Sequence, residues 1–270
     1  MGPSIADAKR EIVDVGRRLW QRGLVGGSEG NVSVRLDGGR LVTTPSGACK
    51  GFLEPDDLVV TDLDGRPLGE GRPSSELKMH VAIYGIRDDV RAVVHAHPPT
   101  ATGFAIAGES FDECVVPEVI ATLGRVPLVP YGTPSTAELP ERIAPWVPTH
   151  DALLLANHGA VAYAKTLARA IDVMESLEQA ARSLLTARLL GRVRRLSREE
   201  VDRLTGLDAY GVAVRNPGCT VADPEPLASR GVERDETAPV GARENEPAAE
   251  IALRERISAI VRETLDGGGR

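Results

Sequence analysis

The sequence predicts an α/β fold in which a mixed β-sheet is combined with helices. Short apolar runs bounded by Pro, Gly or Asp have the length and the flanking residues of strands. Longer segments carry apolar residues at every third or fourth position, which is the helical period. The composition, 42% hydrophobic and 26% charged residues in a chain of 270, is typical of a folded protein and excludes disorder along the whole chain.

The N-terminal part is predicted to form a helix followed by a β-hairpin. Apolar residues recur at helical spacing from Ile5 to Leu19, Ser4 is available as the N-cap, and the helix is expected to end near Gly23. After a glycine-rich stretch, the strands VSVRL and RLVTT are joined by DGG, because so tight a turn needs glycine. A further strand and turn are predicted in DLVVTDLDG.

The middle of the chain is predicted to contain one helix and three short strands. The segment SSELKMHVAIYGI has helical spacing, and Ser74 or Ser75 can cap its start. This places Glu76 in the first turn of the helix. RAVVHAH, VPLVP and ALLLANHG are better strands than helices because of their length.

The C-terminal third divides into a folded part and a tail. TLARAIDVMESLEQAARSLLTARLLG is the longest helical stretch, and the Ser-x-x-Glu spacing at 197–200 predicts another short helix. The compact unit is therefore expected to cover residues 1–212. Residues 213–249 are rich in Pro, Gly and charged residues, which is typical of a flexible linker. An apolar face over 250–266 predicts a C-terminal amphipathic helix.

Charge and cysteine content exclude several classes of protein. A formal net charge of −7 gives no basic face for nucleic acid. No apolar run approaches the roughly 18 residues that cross a bilayer, and no signal peptide precedes the first helix, so we expect a cytoplasmic protein without a membrane partner. Cys49, Cys114 and Cys219 are odd in number and lack CxxC spacing, which predicts reduced thiols rather than a disulfide or a thiolate metal site.

Three of the five histidines lie at the ends of predicted strands. His95 and His97 are two residues apart, so their imidazoles share one face and can reach the same ion. His158 precedes a glycine, which permits a sharp turn and close backbone approach. Three imidazoles with an open fourth position are typical of a catalytic zinc site. The alternative is that they are hydrogen-bonded residues at strand ends, since spacing does not establish that His158 meets the other two.

Glu76 also has two interpretations. An acid in the first turn of a helix interacts favourably with the helix dipole. Alternatively, its carboxylate lies close enough to a metal-bound substrate to remove a proton from carbon. His80 follows four residues later on the same helical face, where we expect a supporting or packing role.

Small polar residues and glycines form a third group. Hydroxyls, an amide and free backbone N–H groups near a helix start suit a phosphate or another anion. Each such residue is also an ordinary turn or cap former. The group consists of Ser28, Gly30, Asn31, Thr44, Ser46, Gly47, Ser74 and Ser75.

Five motifs together resemble the class II aldolase/adducin family. They are GNVSVRL, TTPSG, PSSELKMHVAIY, VVHAHP and ANHGA, in this order, and the resemblance runs from about residue 5 to 212. Within the family, the motifs are most similar to those of aldolases that cleave L-fuculose 1-phosphate. The resemblance implies a three-layer α/β/α fold with a mainly antiparallel central sheet, assembled as a homotetramer with its sites at subunit interfaces.

The resemblance also implies a mechanism. His95, His97, His158 and Glu76 would hold one Zn²⁺ per subunit, or another divalent ion, and Glu76 would also be the catalytic base. The reaction would be reversible cleavage of a ketose 1-phosphate to dihydroxyacetone phosphate and an aldehyde, with the metal stabilising the enediolate as a Lewis acid. The residues that would bind the substrate phosphate are Ser28, Asn31, Ser46, Gly47, Ser74 and Ser75.

Two tyrosines favour aldol cleavage over the other reactions of the family. Tyr131 matches the residue that protonates the aldehyde oxygen, Tyr210 matches a C-terminal tyrosine of the aldolase, and both would come from the adjacent subunit. Both could instead be half-buried packing residues. The alternatives are a pentulose-5-phosphate 4-epimerase, a sugar-phosphate dehydratase or decarboxylase, and a non-catalytic adducin-like interaction module. Residues 48–50 and 132–135 depart from the aldolase pattern, which leaves the sugar open.

The tail has no counterpart in the simple aldolase. We expect the helix at 250–266 either to dock on a partner, such as the shell of a bacterial microcompartment, or to pack against its own tetramer.

Overall fold

A computed structural model describes residues 3–207 and 219–221 of the chain. The strands are β1 (Asn31–Leu36), β2 (Arg40–Thr43), β3 (Val59–Asp62), β4 (Ala92–Ala96), β5 (Leu128–Val129), β6 (Ala152–Leu155) and β7 (Gly159–Ala164). The α-helices are α1 (Ile5–Gln21), α2 (Leu77–Ile86), α3 (Pro99–Ile106), α4 (Glu138–Ile143), α5 (Leu167–Leu189) and α6 (Arg198–Thr205). Short 3-10 turns lie at Lys50–Phe52 and Pro55–Asp57, and a π-helical turn lies at Val119–Leu123.

The seven strands form one mixed sheet in the order β3-β2-β1-β4-β7-β6-β5. Only β5 and β6 are parallel among these pairs, and every other neighbouring pair is antiparallel. One face of the sheet packs against α1, α3 and α5, and the other packs against α2 and α4. The predicted three-layer α/β/α architecture with a mainly antiparallel sheet is therefore confirmed.

Local sequence explains where several helices begin. Ser4 accepts a hydrogen bond from the Asp7 backbone N–H at 3.2 Å and starts α1 with a capping box. Ser197 and Glu200 form the predicted capping box at the start of α6. Each box satisfies backbone donors that have no partner within the helix.

The β6–β7 hairpin differs from the sequence prediction. β6 and β7 are two antiparallel strands with Leu155 opposite Gly159, so His158 lies in the turn between them rather than at the end of a single strand. A side chain on Gly159 would lie 2.6 Å from the carbonyl oxygen of Ala96 and 2.6 Å from Cδ2 of His97. Because glycine leaves this space free, the hairpin lies directly against the end of β4.

The prediction of reduced thiols is wrong for two of the three cysteines. Cys114 and Cys219 form a disulfide, whereas Cys49 is free. A short parallel bridge between Glu113 and Thr220 brings the two cysteines together. They are 105 residues apart in the sequence, so spacing gives no indication of the contact.

Several predictions fall outside the described residues. These are the domain boundary at 212, the linker at 213–249 and the amphipathic helix at 250–266. Within the part of the chain that is described, no helix is both long and apolar enough to span a membrane.

The close approach at Gly159 gives a stability prediction. Gly159→Ala should lower the free energy of unfolding by roughly 1–3 kcal/mol, because the added methyl group meets backbone and ring atoms that cannot easily move. As a control, Gly103→Ala in α3 adds a methyl group with no atom within 4 Å, and it should be neutral or stabilise the protein by up to about 1 kcal/mol. Urea denaturation of both variants measures their free energies of unfolding. Equal values for Gly159→Ala and Gly103→Ala would contradict the prediction.

Candidate metal centre

Three histidines converge at one end of the central strands. His95 is on β4, His97 follows it, and His158 is in the β6–β7 turn. Their ring centroids lie 4.7–5.0 Å apart. One nitrogen from each ring lies within 4.8 Å of the other two, so the three residues could hold one metal ion.

The carboxylate of Glu76 completes this group. Its Oε2 lies 3.2 Å from His95 Nε2, and its Oε1 lies 3.2 Å from His158 Nε2. Asn31 donates a hydrogen bond from Nδ2 to Oε2 at 3.0 Å. Glu76 stands immediately before α2, at its N-cap position, rather than within the first turn. The carboxylate therefore faces the histidines. An interaction with the helix dipole alone does not account for these contacts.

Two buried oxygen atoms at this site fit the binding of a cation. The contact between Glu76 Oε1 and His158 Nε2 is not aligned as a hydrogen bond, so Oε1 is buried without a hydrogen-bond partner, as is Asn31 Oδ1. Buried polar groups in proteins are normally satisfied, and an orphaned acceptor indicates a ligand. Three imidazole nitrogens and one carboxylate are a donor set that fits a divalent ion such as zinc.

The protonation states also suit a metal. Burial raises the pKa of Glu76, but its contacts and electrostatic interactions with His158 and His95 lower it by more, so the net pKa lies well below its usual range. Burial, followed by electrostatic interactions with His95 and His158, lowers the pKa of His97 to about 4. Glu76 is thus ionised and His97 neutral near pH 7, which are the states in which these groups bind metals.

Further contacts hold His95 and the neighbouring His80 in place. His95 Nδ1 lies 2.9 Å from the carbonyl oxygen of Ala160, which directs Nε2 towards the site. His80 is fully buried, with Nδ1 2.7 Å from Ser33 Oγ, and Ser33 also contacts Tyr84. Burial lowers the pKa of His80 to about 3, so it stays neutral. These contacts suit the supporting or packing role predicted for His80.

Glu29 is a candidate site residue that its sequence context does not reveal. Its Oε2 lies 3.3 Å from His97 Nδ1, and its Oε1 accepts a hydrogen bond from the Gly26 backbone N–H at 2.5 Å. The one indication in the sequence is that Glu29 lies two residues before Asn31, the first residue of β1, which pairs with His95. A carboxylate in a glycine-rich loop has no periodicity that would show where it points.

The candidate anion-binding residues come from three loops. An isolated bridge pairs Pro45 with Pro73, and the Ser74 backbone N–H donates to Thr44 O at 3.1 Å. Residues 44–47 therefore lie beside 72–75, immediately before Glu76. Ser28 is in the loop before β1, where it is exposed, and its carbonyl oxygen accepts a hydrogen bond from Lys50 at 2.7 Å. Lys50 is a second residue that the sequence analysis did not single out.

The two tyrosines are not part of this cluster in the described chain. Tyr131 lies in the loop after β5 and is 50% exposed. No hydrogen bond joins it to the histidines or Glu76 within the described residues. Tyr210 lies outside the residues that the structure describes.

An α/β/α sandwich with a cluster of three histidines and a glutamate at the end of its sheet defines a class of metal-dependent enzymes. The profile of the class II aldolase and adducin N-terminal domain matches residues 10–185. The chain belongs to this family.

Relatives within the family have different names. The chain is 35% identical over 204 residues to a 3-oxo-tetronate 4-phosphate decarboxylase of Pectobacterium atrosepticum, covering 73% of this chain and 92% of that protein. It is 36% identical over 171 residues to an L-fuculose phosphate aldolase of Methanococcus maripaludis, covering 63% and 92%. A solved structure of an L-fuculose 1-phosphate aldolase superposes with a TM-score of 0.68 at 34% identity, covering 76% and 96%.

The contact between Glu29 and His97 predicts an effect on metal affinity. Glu29→Ala should weaken zinc binding about 10- to 100-fold, because the ring of His97 loses the group that orients it. Glu29→Gln should lose less zinc affinity, since its amide oxygen can still accept a hydrogen bond. Competition with a chromogenic chelator measures this, and the exposed Glu70→Ala serves as the control. Equal zinc affinity in Glu29→Ala and the control would show that Glu29 does not orient the ligand.

Proposed function

We propose that the protein is a metal-dependent lyase that breaks a carbon–carbon bond next to the carbonyl group of a phosphorylated sugar. The preferred reaction is reversible cleavage of a ketose 1-phosphate, such as L-fuculose 1-phosphate, to dihydroxyacetone phosphate and an aldehyde. The observation that supports this most strongly is the position of Glu76, whose two carboxylate oxygens contact His95 and His158 at the place where three imidazoles meet.

In this proposal, His95, His97 and His158 hold the ion, together with Glu76 in the resting state. Zinc, or another divalent ion, would supply Lewis-acid stabilisation of the negative charge that develops on the substrate oxygens. This accounts for the chemistry without a Schiff-base lysine.

Glu76 serves as the base. It is ionised because its histidine neighbours keep its pKa low. In the condensation direction, it takes a proton from the hydroxymethyl carbon of dihydroxyacetone phosphate, and in cleavage it returns that proton. The hydrogen bond from Asn31 holds the carboxylate in one orientation.

The substrate phosphate would bind where residues 44–47 meet 72–75. The backbone N–H groups of Gly47 and Ser75 make no hydrogen bond among the described residues, so they are free to donate to an anion. The Ser46 and Ser74 backbone N–H groups are already bonded to Arg72 O and Thr44 O, which leaves their hydroxyls as the available groups. The full proposed phosphate set is Ser28, Asn31, Ser46, Gly47, Ser74 and Ser75.

Two further parts of the proposal concern the assembly. A half-exposed Tyr131 that does not reach its own cluster is suited to the site of a neighbouring subunit. We therefore include a homotetramer in which Tyr131 and Tyr210 cross the interface and Tyr131 protonates the aldehyde oxygen. A cytoplasmic location and docking of residues 250–266 on a partner or microcompartment shell also belong to the proposal.

A second candidate is decarboxylation of a phosphorylated 3-oxo sugar acid. It is favoured by the relative of Pectobacterium atrosepticum, whose name gives that activity. Loss of carbon dioxide from a 3-oxo acid leaves an enolate, as retro-aldol cleavage does, so the same metal centre suits both reactions. The two differ in the group that leaves, which is carbon dioxide in one case and an aldehyde in the other.

The proposed reaction is tested with purified protein and two variants, His97→Ala and Glu76→Gln. The substrates are L-fuculose 1-phosphate, other ketose 1-phosphates, a pentulose 5-phosphate and 3-oxo-tetronate 4-phosphate. We expect about one divalent ion per wild-type chain, release of dihydroxyacetone phosphate and an aldehyde from a ketose 1-phosphate, less metal in His97→Ala, and a loss of activity of about 10²- to 10⁴-fold in Glu76→Gln.

Each other product identifies a different reaction. Carbon dioxide released together with dihydroxyacetone phosphate from 3-oxo-tetronate 4-phosphate, with no aldehyde released from any ketose 1-phosphate, would establish the decarboxylase, and a C4 epimer would establish the epimerase. Wild-type protein that binds no divalent ion would refute the metal-dependent mechanism itself.

A further inference from the structure

Lys50 has an unusual environment for a lysine. The residue is only 2% exposed, at the start of the short 3-10 turn that follows the TTPSG motif. Its Nζ donates hydrogen bonds to the carbonyl oxygens of Ser28 at 2.7 Å and Ala48 at 2.6 Å. These carbonyls belong to two different loops, so the lysine side chain joins the loop of Ser28 to the loop of Ser46 and Gly47.

The charge of Lys50 is not neutralised by contact. Burial lowers the pKa of Lys50, while electrostatic interactions with Cys49, Glu29 and Glu76 act in the opposite direction. Within the described residues, no carboxylate forms an ion pair with Nζ. Buried charges in proteins are normally paired, because removing an ammonium group from water costs several kcal/mol. Two carbonyl dipoles solvate this ammonium but do not cancel its charge.

The two nearby carboxylates are occupied elsewhere. Glu29 contacts His97 and accepts the hydrogen bond of Gly26. Glu76 contacts His95, His158 and Asn31. The positive charge of Lys50 is therefore available to an anion bound at the loops that it holds.

We infer that Lys50 is a positioning residue for the anionic group of the substrate. It fixes the separation of the two loops, and its charge favours a phosphorylated sugar over an uncharged one. The interaction acts through a partly buried, low-dielectric region, where a charge has more effect than at the surface. The inference rests on the proposed function and adds the residue that selects for the phosphate. Lys50 lies in the segment 48–50, which departs from the aldolase pattern. Its proposed role therefore rests on its contacts in this structure and not on the resemblance to the aldolases.

Two variants separate the charge from the connection between loops. Lys50→Gln removes the charge but keeps an amide that can donate to the same carbonyls. Lys50→Met removes both. We expect both variants of the metal-loaded protein to bind inorganic phosphate at least about tenfold more weakly by calorimetry. With any substrate that is cleaved, the KM for the phosphorylated sugar should rise more than kcat falls.

Two matched controls change charge at other positions. Lys165→Gln removes an exposed lysine in the β7–α5 connection, at the opposite end of the sheet from the histidines, and should bind phosphate like the wild type. Glu70→Gln removes an exposed negative charge shortly before the loop of Ser74, and should bind phosphate equally well. Thermal unfolding checks that each variant is folded. If Lys50→Met does not fold, Lys50→Gln and Lys50→Arg, which keeps the charge, decide the question.

Three outcomes would overturn the inference. These are wild-type phosphate affinity in both Lys50 variants, wild-type affinity in Lys50→Gln with a loss only in Lys50→Met, and no phosphate binding by the wild type. The second would leave Lys50 as a connection between loops without an electrostatic role. Metal content and cleavage by the wild type are measured separately, so failure of the proposed lyase reaction is distinguishable from failure at Lys50.

Discussion

The site depends on the antiparallel pairing of β4 with β7. His95 lies opposite Val161 and Ala96 lies opposite Ala160, so the β6–β7 turn stands over the end of β4. This register places His158 beside His95 and His97, although more than 60 residues separate them in the sequence. The approach requires Gly159, since any larger residue would press on Ala96 and His97. A shift of one residue would point His95 into the opposite layer.

Pairing on the other edge of β4 brings in the remaining groups. β1 places Asn31 opposite His95, which carries the loop of Ser28 and Glu29 to the same end of the sheet. The bridge between Pro45 and Pro73 then positions the start of α2, and with it Glu76. Most of the chemically active side chains therefore stand in loops and turns at one end of a rigid sheet, a common arrangement for binding and catalysis.

Much of the fold and part of the site could be predicted from sequence. The shared face of His95 and His97 follows from the two-residue period of a strand, and the N-cap at Ser4 and the capping box at Ser197 follow from local sequence. The third histidine, at position 158, was a candidate from its turn context, but its convergence with the others depends on strand register.

Contacts between distant parts of the chain account for the features that the sequence did not predict. α3 was not predicted because the carboxylate that caps it belongs to Glu178 in α5, which accepts hydrogen bonds from the backbone of Thr100 and Ala101. The disulfide between Cys114 and Cys219 and the roles of Glu29 and Lys50 also depend on tertiary contacts. A local sequence pattern predicts the structure of the segment that contains a residue. These residues, in contrast, contact other segments of the chain.

The proposed metal centre would account for the names of an aldolase and a decarboxylase among relatives with similar sequences. Both reactions leave negative charge on an oxygen next to the broken bond, and one Lewis acid can stabilise it in either case. Which of the two reactions is catalysed would then depend on the groups around the metal ligands rather than on the ligands themselves.

The most direct test of the central claim is X-ray absorption spectroscopy at the zinc edge of zinc-loaded protein. The account predicts about three imidazole nitrogens at roughly 2.0–2.1 Å and carboxylate or water oxygen, with no sulfur. A shell of oxygen alone, or thiolate sulfur at roughly 2.3 Å, would contradict it, because the ion would then not be held by His95, His97 and His158.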